Sequence, residues 1–315
     1  MSPRIPEPRE QEADLSPDRF AVHHADTPGA SIAYVHEGEG GLPLLLVHGW
    51  PETKRIWWRN ISVLANAGFE VIAPDLRGFG DSGAADDFYD VAASCADVHH
   101  LVADVLGHAH CVAVGGNFGG VVVQDLTLRH PGLVERAVLF NTIPPFIFDD
   151  YERAGVEAID FAQNEHFTRH GQKAGELLHE LHSPTLRRDY VAEVYSDAGW
   201  AGVAGFSASE QAFMTEPFGD EDAFRTSIRL YEYAFGRTPK APPMLFEPNS
   251  TVTLVLYGPE DAVVPPAFVD CMAVAFPNVI GPFSVTGAGH FLQWEKAALF
   301  NRTIEWFCRD LLVPR

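Results

Sequence analysis

Short runs of apolar residues alternate along this chain with segments of helical spacing, and this alternation constrains the fold more than any other feature. The uninterrupted apolar runs in the first half are residues 44–47, 71–73, 111–114 and 137–140. Runs that stay apolar, rather than alternate with polar residues, are typical of parallel strands buried on both faces. The segments of helical spacing between them are residues 57–67, 91–106 and 118–129. The sequence therefore predicts an α/β fold with a mostly parallel central sheet and helices on both faces.

The alternation stops at Pro144-Pro145 and resumes near residue 251. Between these points the apolar residues recur at helical spacing, as in Leu177, Leu178 and Leu181. This layout predicts a helical cap inserted into the α/β core. The predicted division of the chain is a flexible leader at 1–18, a first core part at 19–145, a cap at 146–243 and a second core part at 244–315.

Composition excludes several classes of partner. The 315 residues include 43 acidic and 22 basic ones, a formal net charge of −21. Such a surface repels phosphate backbones and anionic lipid, so we expect neither nucleic acid nor a membrane as a partner. Residues 1–18 lack the apolar stretch of a secretory signal. The cysteines form no C-x-x-C pair and no disulfide pattern, which favours a reducing, cytoplasmic location without a metal or other cofactor.

The segment that carries chemistry joins the apolar run at 111–114 to the helical segment at 118–129. It reads Gly115-Gly116-Asn117-Phe118-Gly119-Gly120. Small residues on both sides of a central polar residue allow the strained strand-to-helix turn called a nucleophile elbow, which presents the central side chain. Taken alone, the pattern equally fits a glycine-rich strand end with no chemistry.

Further polar segments follow other predicted strands. They are His48-Gly49-Trp50-Pro51, the turn from Asp75 to Ser82, Asp261 in Gly258-Pro259-Glu260-Asp261, and His290 in Gly287-Ala288-Gly289-His290. Elbow, acid and histidine follow one another in the chain order of α/β hydrolases.

From about residue 30 to residue 312, the chain resembles the α/β-hydrolase superfamily and, within it, the epoxide hydrolases. The segment from His48 to Pro51 is similar to the family's H-G-x-P oxyanion motif. The elbow is similar to G-H-D-x-G, with Gly116 in place of the histidine and Asn117 in place of the aspartate nucleophile. The second departure matters because a neutral amide is a very weak nucleophile toward carbon. A deliberate Asp→Asn change and a naturally altered member both explain it.

The resemblance implies roles for the matching residues. An elbow carboxylate would attack an epoxide carbon and form a covalent ester, which water would then hydrolyse to a vicinal diol. His290 would deprotonate that water, and Asp261 would orient its ring. The backbone N–H groups of Trp50 and Phe118 would form the oxyanion hole, with His48 in the same motif. With Asn117 in place, the chain is expected to be inactive or very slow.

Two cap residues are expected to hold the oxygen of the opening epoxide. Tyr231 lies where the resemblance implies a cap tyrosine, and Tyr233 is the competing choice. His166 lies near the position of the first donor, and Tyr151 is the fallback. The alternatives without function are a half-buried tyrosine on an amphipathic helix and a surface histidine.

Two other functions stay open. Haloalkane or haloacid dehalogenases share the aspartate, histidine and acid, but commonly have a tryptophan directly after the nucleophile, where this chain has Phe118. A non-catalytic binding protein would explain Asn117 but needs neither Asp261 nor His290. The expected partners are a small epoxide and water, and the sequence leaves the oligomeric state open, a homodimer included.

Overall fold

The computed structural model describes residues 14–312 except 84–87, 162–163, 197, 204 and 235–236. Most of the predicted leader, residues 1–13, therefore lies outside the described residues. The remainder of that leader runs into a single 3-10 turn at Pro17–Arg19.

The described residues form one sheet of eight strands. The strands are β1 Val22–Asp26, β2 Ser31–Glu37, β3 Leu42–Val47, β4 Phe69–Pro74, β5 Cys111–Gly116, β6 Val134–Thr142, β7 Val252–Tyr257 and β8 Val279–Ser284. Their spatial order is β1-β2-β4-β3-β5-β6-β7-β8. The β1–β2 and β2–β4 pairs are antiparallel, and the remaining pairs are parallel.

The middle of this sheet is covered on both faces. Every residue of β4 and β5 is buried, which requires helices above and below because successive side chains point to opposite faces. The core helices are α1 Ile61–Asn66, α2 Val91–His99, α3 Asn117–Arg129, α10 Ala267–Ala275, α11 Leu292–Glu295 and α12 Ala297–Cys308. The predicted α/β class with a mostly parallel sheet is confirmed.

Two core helices differ in extent from their sequence prediction. The segment predicted as a helix at 57–67 has a 3-10 turn at Lys54–Trp57, and its α-helix starts only at Ile61. Helix α2 begins where Asp90 accepts the N–H of Ala93 at 2.9 Å. It ends at His99 and is continued by a wider π-helical turn over His100–Val105.

Between β6 and β7, the regular secondary structure of the described residues is helical. The helices are α4 Phe148–Ala154, α5 Glu165–Gly171, α6 Ala174–Glu180, α7 Pro184–Val194, α8 Ala208–Thr215 and α9 Glu221–Ala234. Local caps begin several of them, as at Ser207, whose side chain accepts from the N–H of Glu210 while the Glu210 side chain accepts from the N–H of Ser207. Helices α5 and α9 pack against each other.

Hydrogen bonds join these helices to the loops at the carboxyl ends of the core strands. The hydroxyl of Thr226 on α9 donates to the carbonyl of Gly78 at 2.7 Å. The hydroxyl of Tyr195, just after α7, donates to the carbonyl of Pro51 at 2.6 Å. Both core partners lie in loops that follow strands, so the helical segment covers that edge of the sheet.

No helix in the described part of the chain is long and apolar enough to span a bilayer. The described residues also contain no group of three or more His, Cys, Asp or Glu side chains arranged to hold a metal ion. All four cysteines, at positions 95, 111, 271 and 308, are buried as free thiols.

Candidate active site

The turn from β5 into α3 places Asn117 in left-handed backbone geometry, with φ at 49°. Close contacts with other backbone atoms leave no room for a side chain at the neighbouring glycines. A Cβ added at Gly115 would lie 2.5 Å from the carbonyl oxygen of Gly119, and one at Gly119 would lie 2.1 Å from the carbonyl oxygen of Val47. Both contacts are with backbone that cannot give way. The residue pattern around Asn117 thus forms the sharp strand-to-helix turn that the sequence predicts.

Gly116 has a different reason to be small. A Cβ there would lie 2.3 Å from the ring of Phe140, which is buried and packs edge-on against Trp57 and Phe300. Phe140 on β6 therefore fills the space next to the elbow. This explains why the chain has glycine where the resemblance implies histidine.

The side chain of Asn117 is held on both sides. Its amide oxygen accepts the backbone N–H groups of Trp50 at 3.0 Å and Phe118 at 2.6 Å. Its amide nitrogen lies 2.7 Å from Nε2 of His290. Because the oxygen faces two donors, the nitrogen must donate to His290. The Trp50 and Phe118 N–H groups thus converge on one oxygen atom, which is the geometry of an oxyanion hole.

His290 lies between Asn117 and Asp261. Its Nδ1 is 2.7 Å from Oδ2 of Asp261, so Nδ1 carries the proton and Nε2 is the free acceptor. Burial opposes a charge on this ring, but the charge and hydrogen bond of Asp261, together with the charges of Glu52 and Glu295, outweigh that effect and raise the pKa of His290. His290 is therefore a base whose Nε2 lone pair points at the elbow side chain.

Asn141, which the sequence analysis missed, braces this acid. Its amide nitrogen donates to Oδ2 of Asp261 at 2.7 Å, and its amide oxygen accepts the N–H of Gly258 at 2.8 Å. The same nitrogen lies 3.0 Å from the carbonyl oxygen of Gly289. Asn141 thus joins the loop that carries the acid, Gly258 to Asp261, to the loop that carries the histidine, Gly287 to His290. Its position at the carboxyl end of the strand beside the elbow strand is the signal that could have revealed it.

Two buried glutamates, Glu52 and Glu295, were also missed. Glu52 accepts the N–H of Gly49 and the side-chain amide of Gln293, both at 2.6 Å. Glu295 accepts three backbone N–H groups, which belong to Gly202, Gly289 and Phe291. Burial raises the pKa of both carboxyls. These contacts hold two loops in place, the oxyanion loop from His48 to Pro51 and the histidine loop from Gly287 to His290.

Asn117 and His290 face a cavity of about 260 Å³ between the sheet edge and the cap helices. Its wall is mostly apolar, and it includes Phe118, Ile143, Phe146, Phe161, Leu230 and Val264. Polar groups converge at a few points of this wall, as is usual for a site that binds a small organic molecule.

Tyr231 and His166 line the same cavity. The Tyr231 hydroxyl lies 2.9 Å from Nε2 of His166, so α5 and α9 bring the two side chains into a hydrogen bond. Burial lowers the pKa of His166 well below its usual value and raises that of Tyr231 well above its usual value. Both groups are therefore neutral near neutral pH, and each has one hydrogen to donate.

Trp50 connects the elbow to this cap pair. Its ring packs against His166, with centroids 4.9 Å apart, and against Tyr231 at 5.9 Å. Its indole N–H donates to the hydroxyl of Ser227 at 3.2 Å, and Ser227 lies one turn before Tyr231 on α9. The same residue therefore supplies a backbone donor to Asn117 and a packing surface to the cap.

Two aromatic cap residues complete this cluster. Trp200 lines the cavity and packs between His166 and His290, with ring centroids 4.6 Å and 5.0 Å away. His170 is buried beside His166 and Trp50, and burial lowers its pKa to about 4. His170 Nδ1 donates to the carbonyl of His166 at 2.7 Å, leaving Nε2 to accept from Tyr190 at 3.3 Å.

The side chain of His48 is bound by backbone groups of two loops. It is not among the described residues that line the cavity. Its Nδ1 binds the carbonyl of Gly49 at 2.8 Å, and its Nε2 accepts the N–H of Leu76 at 2.9 Å. The ring of His48 thus connects the loop after β3 to the loop after β4.

Tyr151 and Tyr233, the alternative tyrosines, differ in their position relative to the cavity. The hydroxyl of Tyr151 donates to the carbonyl of Pro145 at 2.8 Å, and the side chain lines a small separate pocket. Tyr233 does line the main cavity, with its ring near Phe88 and Arg237.

The α/β hydrolase fold family matches residues 43–297 of the chain. The chain is an α/β hydrolase. This hydrolase is 25% identical to epoxide hydrolase 3 of Mus musculus over 298 residues, which cover 93% of this chain and 78% of the relative. It is 28% identical to epoxide hydrolase 3 of Xenopus tropicalis, with 91% of this chain and 77% of the relative covered.

Among solved structures, the α/β hydrolase is similar to an epoxide hydrolase, CorEH without ligand. The TM-score is 0.77 at 24% identity, and the match covers 93% of this chain and 99% of the other. This likeness shows a shared fold.

Proposed function

We propose that this α/β hydrolase is an epoxide hydrolase whose elbow residue acts as the nucleophile when it is a carboxylate. The observation that carries the proposal is the placement of the Asn117 side chain between two backbone N–H groups and His290, in a cavity that Tyr231 and His166 also line. The names of the two relatives support the same activity.

In the first step, the elbow carboxylate opens the epoxide. Asp and Asn have nearly the same shape, so one oxygen of an Asn117→Asp side chain would occupy the oxyanion hole. The other would take the position of Nδ2 and attack an epoxide carbon. The C–O bond of the epoxide breaks, and its oxygen gains negative charge. We assign stabilisation of that charge to the Tyr231 hydroxyl, with the Nε2–H of His166 donating to the phenol oxygen.

In the second step, water hydrolyses the ester. Nε2 of His290 takes a proton from water, which attacks the ester carbon, while Asp261 stabilises the charged imidazole through the bond to Nδ1. The N–H groups of Trp50 and Phe118 hold the oxygen on which charge develops. The departing ester oxygen takes the proton back from His290. The proton of the attacking hydroxyl ends on the epoxide oxygen, so a vicinal diol leaves and the carboxylate is regenerated.

The side chains of the two residues that form the oxyanion hole favour an epoxide over a haloalkane. A halide that leaves as an anion needs N–H donors directed at it. Phe118 offers no side-chain N–H, and the indole N–H of Trp50 is directed to Ser227 on α9. A hydroxyl such as that of Tyr231 suits an epoxide oxygen, which remains attached to the substrate and must finally gain a proton.

Asn117 itself cannot form the ester, so we expect the chain as written to be inactive or very slow on epoxides. The four free and buried cysteines support action in a reducing compartment, and we propose the cytoplasm. Epoxide and water are the proposed partners, and a measurement of mass in solution tests whether the chain forms a homodimer.

The test compares freshly purified chain with its Asn117→Asp variant on a panel of epoxides. We expect a gain of at least ~10³-fold in diol formation, because loss of covalent catalysis costs this much or more. Equal inactivity of the two proteins on epoxides and haloalkanes would overturn the proposal. Halide release by the variant would instead assign a dehalogenase, and tight binding without turnover would assign a binding protein.

A further inference from the structure

We infer that Asn117 is itself a substrate of this site, and that the chain slowly hydrolyses the Asn117 side-chain amide to a carboxylate. The site would thus modify its own elbow residue. The inference depends on the placement of the Asn117 amide and is independent of the reaction that the site catalyses on other molecules.

The amide is bound as the substrate of a hydrolase would be. Its oxygen accepts two backbone N–H bonds, at 3.0 Å from Trp50 and 2.6 Å from Phe118. These donors draw electron density from Cγ and stabilise the negative charge that forms on the oxygen when Cγ is attacked. A surface asparagine has water at this position, which must reorganise during the reaction.

The departing nitrogen is equally well placed. Nδ2 lies 2.7 Å from Nε2 of His290. His290 can therefore act twice, first as the base that takes a proton from water and then as the acid that gives it to the leaving nitrogen. An amide nitrogen leaves only when it is protonated, so this second transfer is the demanding one. The Asp261 carboxylate stabilises the charged ring between the two transfers.

The reaction balances with water alone. A water from the cavity forms a bond from its oxygen to Cγ of Asn117, and its proton moves to Nε2 of His290. The Cγ–Nδ2 bond then breaks as the nitrogen takes that proton, and ammonia leaves. The products are an aspartate side chain and ammonia, with no oxidant, metal or cofactor consumed.

The usual route of asparagine deamidation does not fit this geometry. That route needs the backbone nitrogen of the following residue to attack Cγ and form a cyclic imide. Here the N–H of Phe118 is directed at the oxygen of the same amide, at 2.6 Å, in the first turn of α3. The imide also opens to a mixture that contains isoaspartate, whereas direct attack by water gives α-aspartate only.

The experiment follows the Asn117 peptide by mass spectrometry while the freshly purified chain is kept in ¹⁸O-labelled water near pH 8. We expect first-order conversion to α-aspartate that carries one solvent oxygen, with no dependence on protein concentration. Asn141 serves as the internal control in the same digest, because it is buried but donates to a carboxylate instead of facing a base.

His290→Gln should abolish the conversion, and its circular dichroism and melting curve would show that the fold is retained. Chain unfolded in urea provides a second comparison that needs no substitution, and it should lose the α-aspartate-only product. Absence of conversion in the folded chain, an undiminished rate in folded His290→Gln, or isoaspartate at position 117 would each overturn the inference. Because the readout is mass, the result is independent of whether the Asn117→Asp variant hydrolyses epoxides.

Discussion

The amide nitrogen of Asn141 lies 2.7 Å from Oδ2 of Asp261, the same oxygen that accepts Nδ1–H of His290. The other oxygen of Asp261 accepts the N–H groups of Val263 at 2.7 Å and Val264 at 3.1 Å. The carboxylate is therefore bound on all sides, and its direction toward His290 depends on a residue from a different strand.

We predict that Asn141→Ala slows ester hydrolysis in the Asn117→Asp background while ester formation remains near normal. The substitution removes one donor from Asp261 and leaves buried N–H and carbonyl groups unpaired, which costs about 1–3 kcal/mol of stability. Stopped-flow separation of the two steps measures the first effect, and chemical unfolding measures the second. Equal slowing of both steps would show that Asn141 acts on the whole site instead of on the acid.

A second prediction concerns Tyr231 and His166. As independent donors they would have additive effects, but the 2.9 Å bond between them couples their roles. In the Asn117→Asp background, Tyr231→Phe and His166→Phe should each slow ester formation by about 10²-fold. The double variant should lose no more than Tyr231→Phe alone, and His166→Gln, which keeps an N–H, should recover part of the rate.

Rapid-mixing measurement of adduct formation tests this coupling, and adduct breakdown serves as the control because His290 performs that step. Additive losses would assign each residue its own bond to the epoxide oxygen. A crippled Tyr233→Phe variant beside an active Tyr231→Phe variant would move the donor by two residues along α9.

His290 provides a third prediction. Since the base acts on water only, His290→Gln in the Asn117→Asp background should still form the ester and then fail to hydrolyse it. Intact mass spectrometry should show a covalent adduct on the elbow residue that persists for many turnover times of the parent. Turnover without any adduct would remove His290 from the second step.

The pH dependence of ester hydrolysis follows from the raised pKa of His290. The ester is uncharged, as the Asn117 amide is, so the same direction of shift applies to the intermediate. Only the neutral ring accepts a proton, so the rate should fall as pH decreases through a midpoint above about 6.5, the ordinary histidine value. Asp261→Asn should move that midpoint lower. A midpoint well below the ordinary value in the parent would contradict the assignment.

The last prediction concerns the packing behind the elbow. Gly116→Ala brings a methyl group against the ring of Phe140, which Trp57 and Phe300 hold in place. We expect a loss of about 1–3 kcal/mol in the free energy of unfolding, as for other overpacked cores. Phe140→Leu should reduce the cost of Gly116→Ala when the two are combined, and a double-mutant cycle by urea unfolding measures this coupling.

The fold could be predicted largely from sequence because its central strands leave a strong signal. The runs at 44–47 and 111–114 are apolar at every position, and they became β3 and β5 in the buried middle of the sheet. The helix predicted at 57–67 was less accurate at its start. There the side chain of Thr53 accepts the N–H of Arg55 and tightens the chain into a 3-10 turn, a local bond that hydrophobic spacing does not report.

For the site, sequence identified residues that follow strands in a known order, and it failed for residues that act through others. Asn117, Asp261 and His290 are brought together as expected from that order. Asn141 was missed because its partner Asp261 lies far along the chain, and Glu52 because one of its two partners, Gln293, does. The contact between His48 and the backbone of Leu76 likewise joins two distant parts of the chain.

Trp50 belongs to the core by its place in the chain and to the cap by its contacts, with its backbone N–H on Asn117 and its indole N–H on Ser227 of α9. In a chimeric hydrolase, the cap and residue 50 should therefore be exchanged together. A transplanted cap with no hydroxyl at the position of Ser227 would leave the indole N–H of Trp50 without its acceptor. The backbone N–H of Trp50 would then no longer be held against the side chain of Asn117. A recombination boundary should therefore be placed in the loop after β3, so that residue 50 comes from the same parent as the cap.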